Sequence, residues 1–187
     1  MDAFSYLSVL LSVILGLAVQ QVLQGYRALA LNRRQVRLYW PSLAWTGSIL
    51  MMVAQHWWAS FGLSNRGSWD FVGFAAILIQ TALMYMMAAL VLPDVPADKP
   101  IDLREHYFRE QRVFFGVGAA TVAWSALREV ALEGRLPEPL NMVFHIVFIT
   151  MSLTAMVSRN ETLHKIFAAT SALIFVVYIG LLFARLQ

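Results

Sequence analysis

Six long apolar runs, residues 4–30, 40–63, 71–92, 113–132, 140–157 and 166–183, limit what this chain can fold into. Each comes close to the roughly 20 residues that an α-helix needs to cross the hydrocarbon of a bilayer. Hydrocarbon offers the backbone no water, so only helices, which satisfy their own amides, or closed barrels can span it. None of the runs alternates polar and apolar residues with the period of two of a barrel strand. The chain is 59% hydrophobic and 13% charged, against roughly 45–50% and about 25% in soluble domains. A water-soluble core of this length could not hide that excess. The expected fold class is all-α: a polytopic transmembrane bundle of six helices, one domain across residues 1–187, with no soluble domain.

The segments between the runs carry turn and breaker residues: Arg33, Arg34 and Arg37, then Asn65 and Gly67, a proline-rich stretch over 93–100, Gly134 with Pro137 and Pro139, and Ser158 to Asn160. Asp102 and Glu105 have capping-box spacing, which starts the fourth helix near Leu103, well before its apolar run. Its first turns would then carry a Glu105–Arg109 pair. Ser158 and Glu161 form a second capping box that opens the last helix. The first run lacks a basic n-region, having only Asp2 before it, and is longer than the apolar core of a signal peptide, so it is expected to stay in the protein.

Lysine and arginine set the orientation. Arg27, Arg33, Arg34, Arg37, Lys99, Arg104, Arg109, Arg112, Arg159 and Lys165 flank one side of the six spans, and Arg66, Arg128, Arg135 and Arg185 the other. The richer side is expected in the cytoplasm, with both termini outside. The net charge of +3 is no nucleic-acid signal here, because the basic residues sit between membrane-length runs rather than on a polar face.

Polar residues within the spans are the candidate functional residues. Ser8, Ser12, Gly16, Gln20 and Gln24 recur every four residues along one face of the first helix. Such a stripe serves helix packing, a pore or solute pathway, or contact with a second copy. Gln55, Gln80 and Asn141 add polar groups to helices two, three and five. Groups of this kind are costly against lipid and are expected to point inward. Trp40, Trp45, Trp57, Trp58 and Trp69 fall near the helix ends, where an interfacial belt would form.

His56 and His145 stand at similar depths in helices two and five. Facing histidines can hold a haem between helices, so a bis-histidine b-haem is one reading, with His106 and His164 as a conceivable second pair near the cytoplasmic surface. A metal or pH-sensing role and simple hydrogen bonding are the others. Enzyme signatures fail: no His-Glu-x-x-His, no Gly-x-Ser-x-Gly, and no histidine in the middle of the last helix to serve Ser125. Cysteine is absent, which excludes thiolate metal sites and cysteine nucleophiles.

The opening residues Met1 to Leu10, with Arg37 to Pro41 and Gln55-His56-Trp57-Trp58, resemble a group of small bacterial multi-pass inner-membrane proteins. The resemblance implies class and compartment and brings no catalytic residue with it. The expected function is non-enzymatic and without a resident cofactor: permeation or transport of a small solute or ion through a polar interior. The alternatives are a membrane scaffold or accessory subunit and the b-haem electron carrier. Its surroundings would be the lipid bilayer, with a homo-oligomer or another membrane protein as partner and no nucleic acid.

Overall fold

The computed structural model describes residues 3–65, 69–94, 100–134 and 136–182. Arg66, Lys99, Arg135 and Arg185, four of the basic residues used for orientation, lie outside this set, as does Phe183, the end of the last apolar run. Six α-helices account for most of the described chain: α1 (Ala3–Leu31), α2 (Trp40–Ser60), α3 (Phe71–Leu90), α4 (Leu103–Glu133), α5 (Pro139–Val157) and α6 (Glu161–Leu182). Two two-residue strands, β1 (Val36–Arg37) and β2 (Ile101–Asp102), and a 3-10 helix over Phe61–Asn65 join them.

Five of the helices, all but α2, are long and apolar enough to cross a membrane. The expectation of six such segments therefore holds for five. The 21 residues of α2 suffice in length, but Ser42, Thr46, Ser48, Gln55, His56 and Ser60 lower its hydropathy. Most of these are buried, and three hydroxyls bond back into their own helix: Thr46 to the Ser42 carbonyl at 2.6 Å, Ser48 to Ala44 at 3.0 Å and Ser60 to His56 at 2.7 Å. Such back-bonding satisfies a hydroxyl without a partner from another helix.

The helix ends follow local chemistry. Pro41 and Pro139 occupy the first turns of α2 and α5, where a missing N–H costs nothing. Asp70 accepts from the Gly73 amide at 2.8 Å to open α3. Asp102 accepts from Arg104 and Glu105 to open α4 at Leu103, as its spacing indicates. Gly134, at φ 66°, closes α4 in the left-handed region, which glycine enters without the steric penalty of a Cβ. Two expectations fail. Arg109 pairs with the adjacent Glu110 at 2.9 Å rather than with Glu105. The cap of α6 is Asn160, whose Oδ1 accepts from Thr162 and Leu163. Glu161 is thereby freed to bind Arg104 at 2.8 Å and Lys165 at 2.8 Å.

Helix packing places α2, α3, α4, α5 and α6 in a closed ring, each on the next and α6 back on α2. The first helix lies outside that ring, against α3 and α2. Its polar stripe therefore does not face the interior of the ring. Leu7, Leu11, Leu15, Ala18 and Val22 are the buried face of α1, whereas Ser12, Gly16, Gln20 and Gln24 are exposed and Ser8 is half-buried. The physical reason is steric fit. Ala18 and Val22 are fully buried, and Gly25 lies so near Leu92 that a Cβ there would stand 2.6 Å from its Cδ1. A Cβ at Gly16 meets nothing within 4 Å.

The two glycines therefore make opposite predictions. Gly25→Val should cost about 1–3 kcal/mol, the usual penalty of overpacking, whereas Gly16→Leu should leave the stability of a single copy unchanged. Thermal unfolding in detergent checks both, and equal effects at the two positions would contradict this placement of α1.

Candidate functional site

Within the ring the helices divide lengthwise into two halves. The half nearer β1 and β2 is filled. Tyr107 packs edge-on against Tyr39, Phe108, Phe115 and His164 at centroid distances of 5.2–6.0 Å, and Trp45 does the same against Phe114 and Phe115. Trp45 is thus a core residue rather than part of an interfacial belt, while Trp40, Trp57 and Trp58 are exposed. His164 is fully buried: its Nε2–H donates to the Ser158 carbonyl at 2.8 Å and its Nδ1 accepts from the Tyr107 hydroxyl at 2.9 Å. The Gln111 amide reaches the carbonyls of Ala155 at 2.8 Å and Ser158 at 2.6 Å, which satisfies the end of α5. Burial pushes the Tyr39 phenol, just ahead of α2, up to about 12.

The other half is hollow. A cavity of about 340 Å³ lies among α2, α3, α4, α5 and α6 and reaches the end of the ring at Gly62, Leu63 and Leu132. Its polar lining is Gln55, His56 and Ser60 from α2, Gln80 from α3, Ser125, Arg128 and Glu129 from α4, Asn141 from α5 and Tyr178 from α6. A smaller space of about 70 Å³ adjoins it, sharing Gln55, Gln80, Met84, Ser125 and Tyr178. Its remaining wall is mostly apolar: Met52, Val122, Phe144, Phe148 and Phe175, with Thr121 and His145.

The hydrogen bonds around this space are incomplete. Gln80 is 2% exposed, and its Oε1 has no partner among the described residues. The Oδ1 of Asn141 is likewise buried without a partner among them. The Asn141 amide nitrogen donates to Glu129 at 3.1 Å, which fixes the amide orientation and leaves the oxygen as the open group. His145 Nδ1–H donates to the Asn141 carbonyl at 2.8 Å. The Thr81 hydroxyl donates to Ile77, and His56 Nε2–H donates to that hydroxyl at 3.4 Å. The cavity also borders the Gln55 amide and the Ser125 hydroxyl, which can donate as well as accept. A buried polar group left unpaired costs about 1–3 kcal/mol, so the site favours a polar occupant.

Of the residues singled out in the sequence, Gln55, His56, Gln80, Asn141 and His145 line this space. Ser8, Ser12, Gly16, Gln20 and Gln24 do not. His56 borders the larger space and His145 the smaller one. His106 donates to the Leu90 carbonyl at 3.1 Å and accepts from Arg109 at 3.2 Å. Both nitrogens of His106 and of His164 are therefore engaged by protein, so a second haem pair finds no ring nitrogen open in this structure. Among the described residues no group of three His, Cys, Asp or Glu could hold a metal ion.

Sequence reasoning missed Arg128, Glu129 and Tyr178 as lining residues, and met Ser125 only as a failed nucleophile. A usable signal existed: Ser125, Arg128 and Glu129 stand three and four residues apart, which puts them on one face of α4 beside the start of α5. No protein-family model, curated protein or solved structure matches the chain, so the functional reading stands on this geometry.

Proposed function

We propose that the chain is a six-helix membrane protein that binds a small polar solute in the cavity and passes it across the membrane when the aromatic half opens. The observation that carries this reading is the cavity itself, which reaches one end of the ring, with buried side-chain oxygens of Gln80 and Asn141 left without partners among the described residues. Tyr39, Ser42, Trp45 and Gln111 also bury a side-chain atom without a partner among the described residues, but only Gln80 and Asn141 do so beside the cavity. Ligand sites of this size class, about 300–1,000 Å³, combine an apolar wall with a few polar groups.

Parity supports α2 as the sixth span. Parallel pairing of β1 with β2, Val36 opposite Ile101 and Arg37 opposite Asp102, ties the α1–α2 loop to the start of α4. If α3 crosses the membrane, α2 must return the chain. At about 1.5 Å per residue its 21 residues reach about 31 Å, enough for a hydrocarbon core of about 30 Å. The Arg104–Glu161 pair ties the α5–α6 turn to the same end. These three junctions carry most of the lysine and arginine, so we place them in the cytoplasm, the termini and the cavity mouth outside, and the protein in a bacterial inner membrane. The reading is non-enzymatic and needs no cofactor.

Single cysteines test the orientation and the one-sided opening together, because the native chain has none. Ser125→Cys should react with an impermeant thiol reagent on intact spheroplasts, whereas Gln35→Cys and Phe114→Cys should react only after lysis or unfolding, respectively. Labelling of Gln35→Cys with protection of Ser125→Cys would reverse the topology.

A second reading, an accessory subunit or homo-oligomer, is favoured by one observation. Ser12, Gly16, Gln20 and Gln24 point away from the ring, where amides facing lipid would be costly.

A further inference from the structure

The cavity wall also bears on the class of solute, an inference that rests on the cavity being a solute site. We propose that the solute is an uncharged polyhydroxyl compound with an apolar face: a monosaccharide in its ring form.

Three observations converge on this class. The first is the neutral polar lining. Buried side-chain oxygens of Gln80 and Asn141 lack partners among the described residues, and the Gln55 amide and the Ser125 hydroxyl border the same space. A hydroxyl carries one donor and two acceptor sites, so a polyol answers amides and hydroxyls whichever way the Gln55 and Gln80 amides are turned. A ligand with donors only, or with acceptors only, depends on their orientation. The second is charge. The lining includes one guanidinium and one carboxylate, Arg128 and Glu129, whose formal charges cancel, and both already interact within the protein. An ionised group brought into such a space gives up its hydration and needs a counter-charge there; an uncharged solute needs none.

The third is the aromatic wall of the adjoining space. Phe144, Phe148, Phe175 and Tyr178 line it and form one cluster. Phe144 stands edge-on to Tyr178 at 5.0 Å, Phe148 edge-on to Phe175 at 6.2 Å, and Phe175 stacks on Tyr178 at 5.9 Å. A sugar ring carries hydroxyls around its rim and C–H bonds on its faces. Such a face packs on aromatic rings, whose own faces are the negative part of their quadrupole. The ring thus meets amides and hydroxyls at its rim and phenyl groups on one face. The larger space, about 340 Å³, equals about eleven waters at about 30 Å³ each, room for a six-carbon sugar.

Equilibrium dialysis of the full chain in nanodiscs tests the class with radiolabelled D-glucose, D-mannose and D-galactose. The comparison probes are the 2-amino sugar and the uronate of each, which keep the ring and add a charge, and sorbitol, which is uncharged but has no ring. At least one hexose should bind, at least about tenfold more tightly than its charged derivatives and than sorbitol. Ser125→Cys, folded first and then reacted with a maleimide that fills the polar space, should lose that binding, while the unreacted variant keeps it.

The ligand series needs no variant and stands even if Ser125→Cys fails to fold. A charged derivative that binds as tightly as its hexose would overturn the assignment. So would sorbitol binding as tightly, or hexose binding that survives the maleimide. If no hexose binds and proteoliposomes still pass another solute class, the ligand class fails and the cavity reading stands. If proteoliposomes pass nothing, the cavity reading itself fails and this inference falls with it.

Discussion

His164→Leu should cost about 2–4 kcal/mol of folding free energy although it puts an apolar side chain into an apolar-looking half of the molecule. The histidine is fully buried and uses both nitrogens. Leucine leaves the Tyr107 hydroxyl buried without an acceptor, a loss of about 1–3 kcal/mol, and removes a further bond to the Ser158 carbonyl worth about 1 kcal/mol. That carbonyl keeps the Gln111 amide at 2.6 Å, so it is not stranded by the single change. The double variant His164→Leu, Gln111→Leu does strand it, and should lose more than the sum of the two singles by about 0.5–3 kcal/mol. Denaturant titration in detergent, followed by circular dichroism, reads all three variants. A single-variant cost below 0.5 kcal/mol, on the order of an ordinary surface change, would contradict this account of the filled half.

Gln80→Leu should move stability and function in opposite directions. The ligand-free protein buries the Gln80 oxygen at a cost of about 1–3 kcal/mol, and leucine of similar reach relieves it. The variant should therefore melt at or above the parent temperature. Solute binding should fall by about 2–12-fold, the equivalent of one hydrogen bond at about 0.5–1.5 kcal/mol. A residue present only for packing would do the reverse, losing stability and leaving binding intact. Stability gained at the expense of activity is the usual mark of a strained functional group.

Much of this architecture is legible in the sequence because it depends on length and local chemistry. The apolar runs give the six helices, and Asp102 with Glu105 fixes the start of α4 some ten residues ahead of its apolar run. What stays hidden depends on contacts between distant segments. Four-residue spacing puts Ser8, Ser12, Gly16, Gln20 and Gln24 on one face, but only packing decides which face turns inward. Between helices in lipid there is little hydrophobic preference to settle it, and here the close fit of Ala18, Val22 and Gly25 does so. The β1–β2 pairing joins residues 65 positions apart through two-residue strands, too short for any periodic signal. At Asn160 a local rule misleads: Ser158 has the right spacing to Glu161, yet the residue nearer the helix caps it. The cavity was half visible, since Gln55, Gln80 and Asn141 stand out as polar residues in apolar runs. Arg128 and Glu129 read as the polar end of a helix, because only the packing of α4 against its neighbours sets them beside the cavity.

A solute site on a path through the membrane must pass its solute across a bilayer. Its most direct measurement is flux. Proteoliposomes of purified protein, loaded with a mixture of amino acids, amines, organic acids and sugars, should release at least one solute class faster than empty liposomes. The release should be slowed by Gln80→Leu and restored by Gln80→Asn to part of the parent rate. Release no faster than from empty liposomes for every class, from protein that remains folded and correctly oriented, would contradict it.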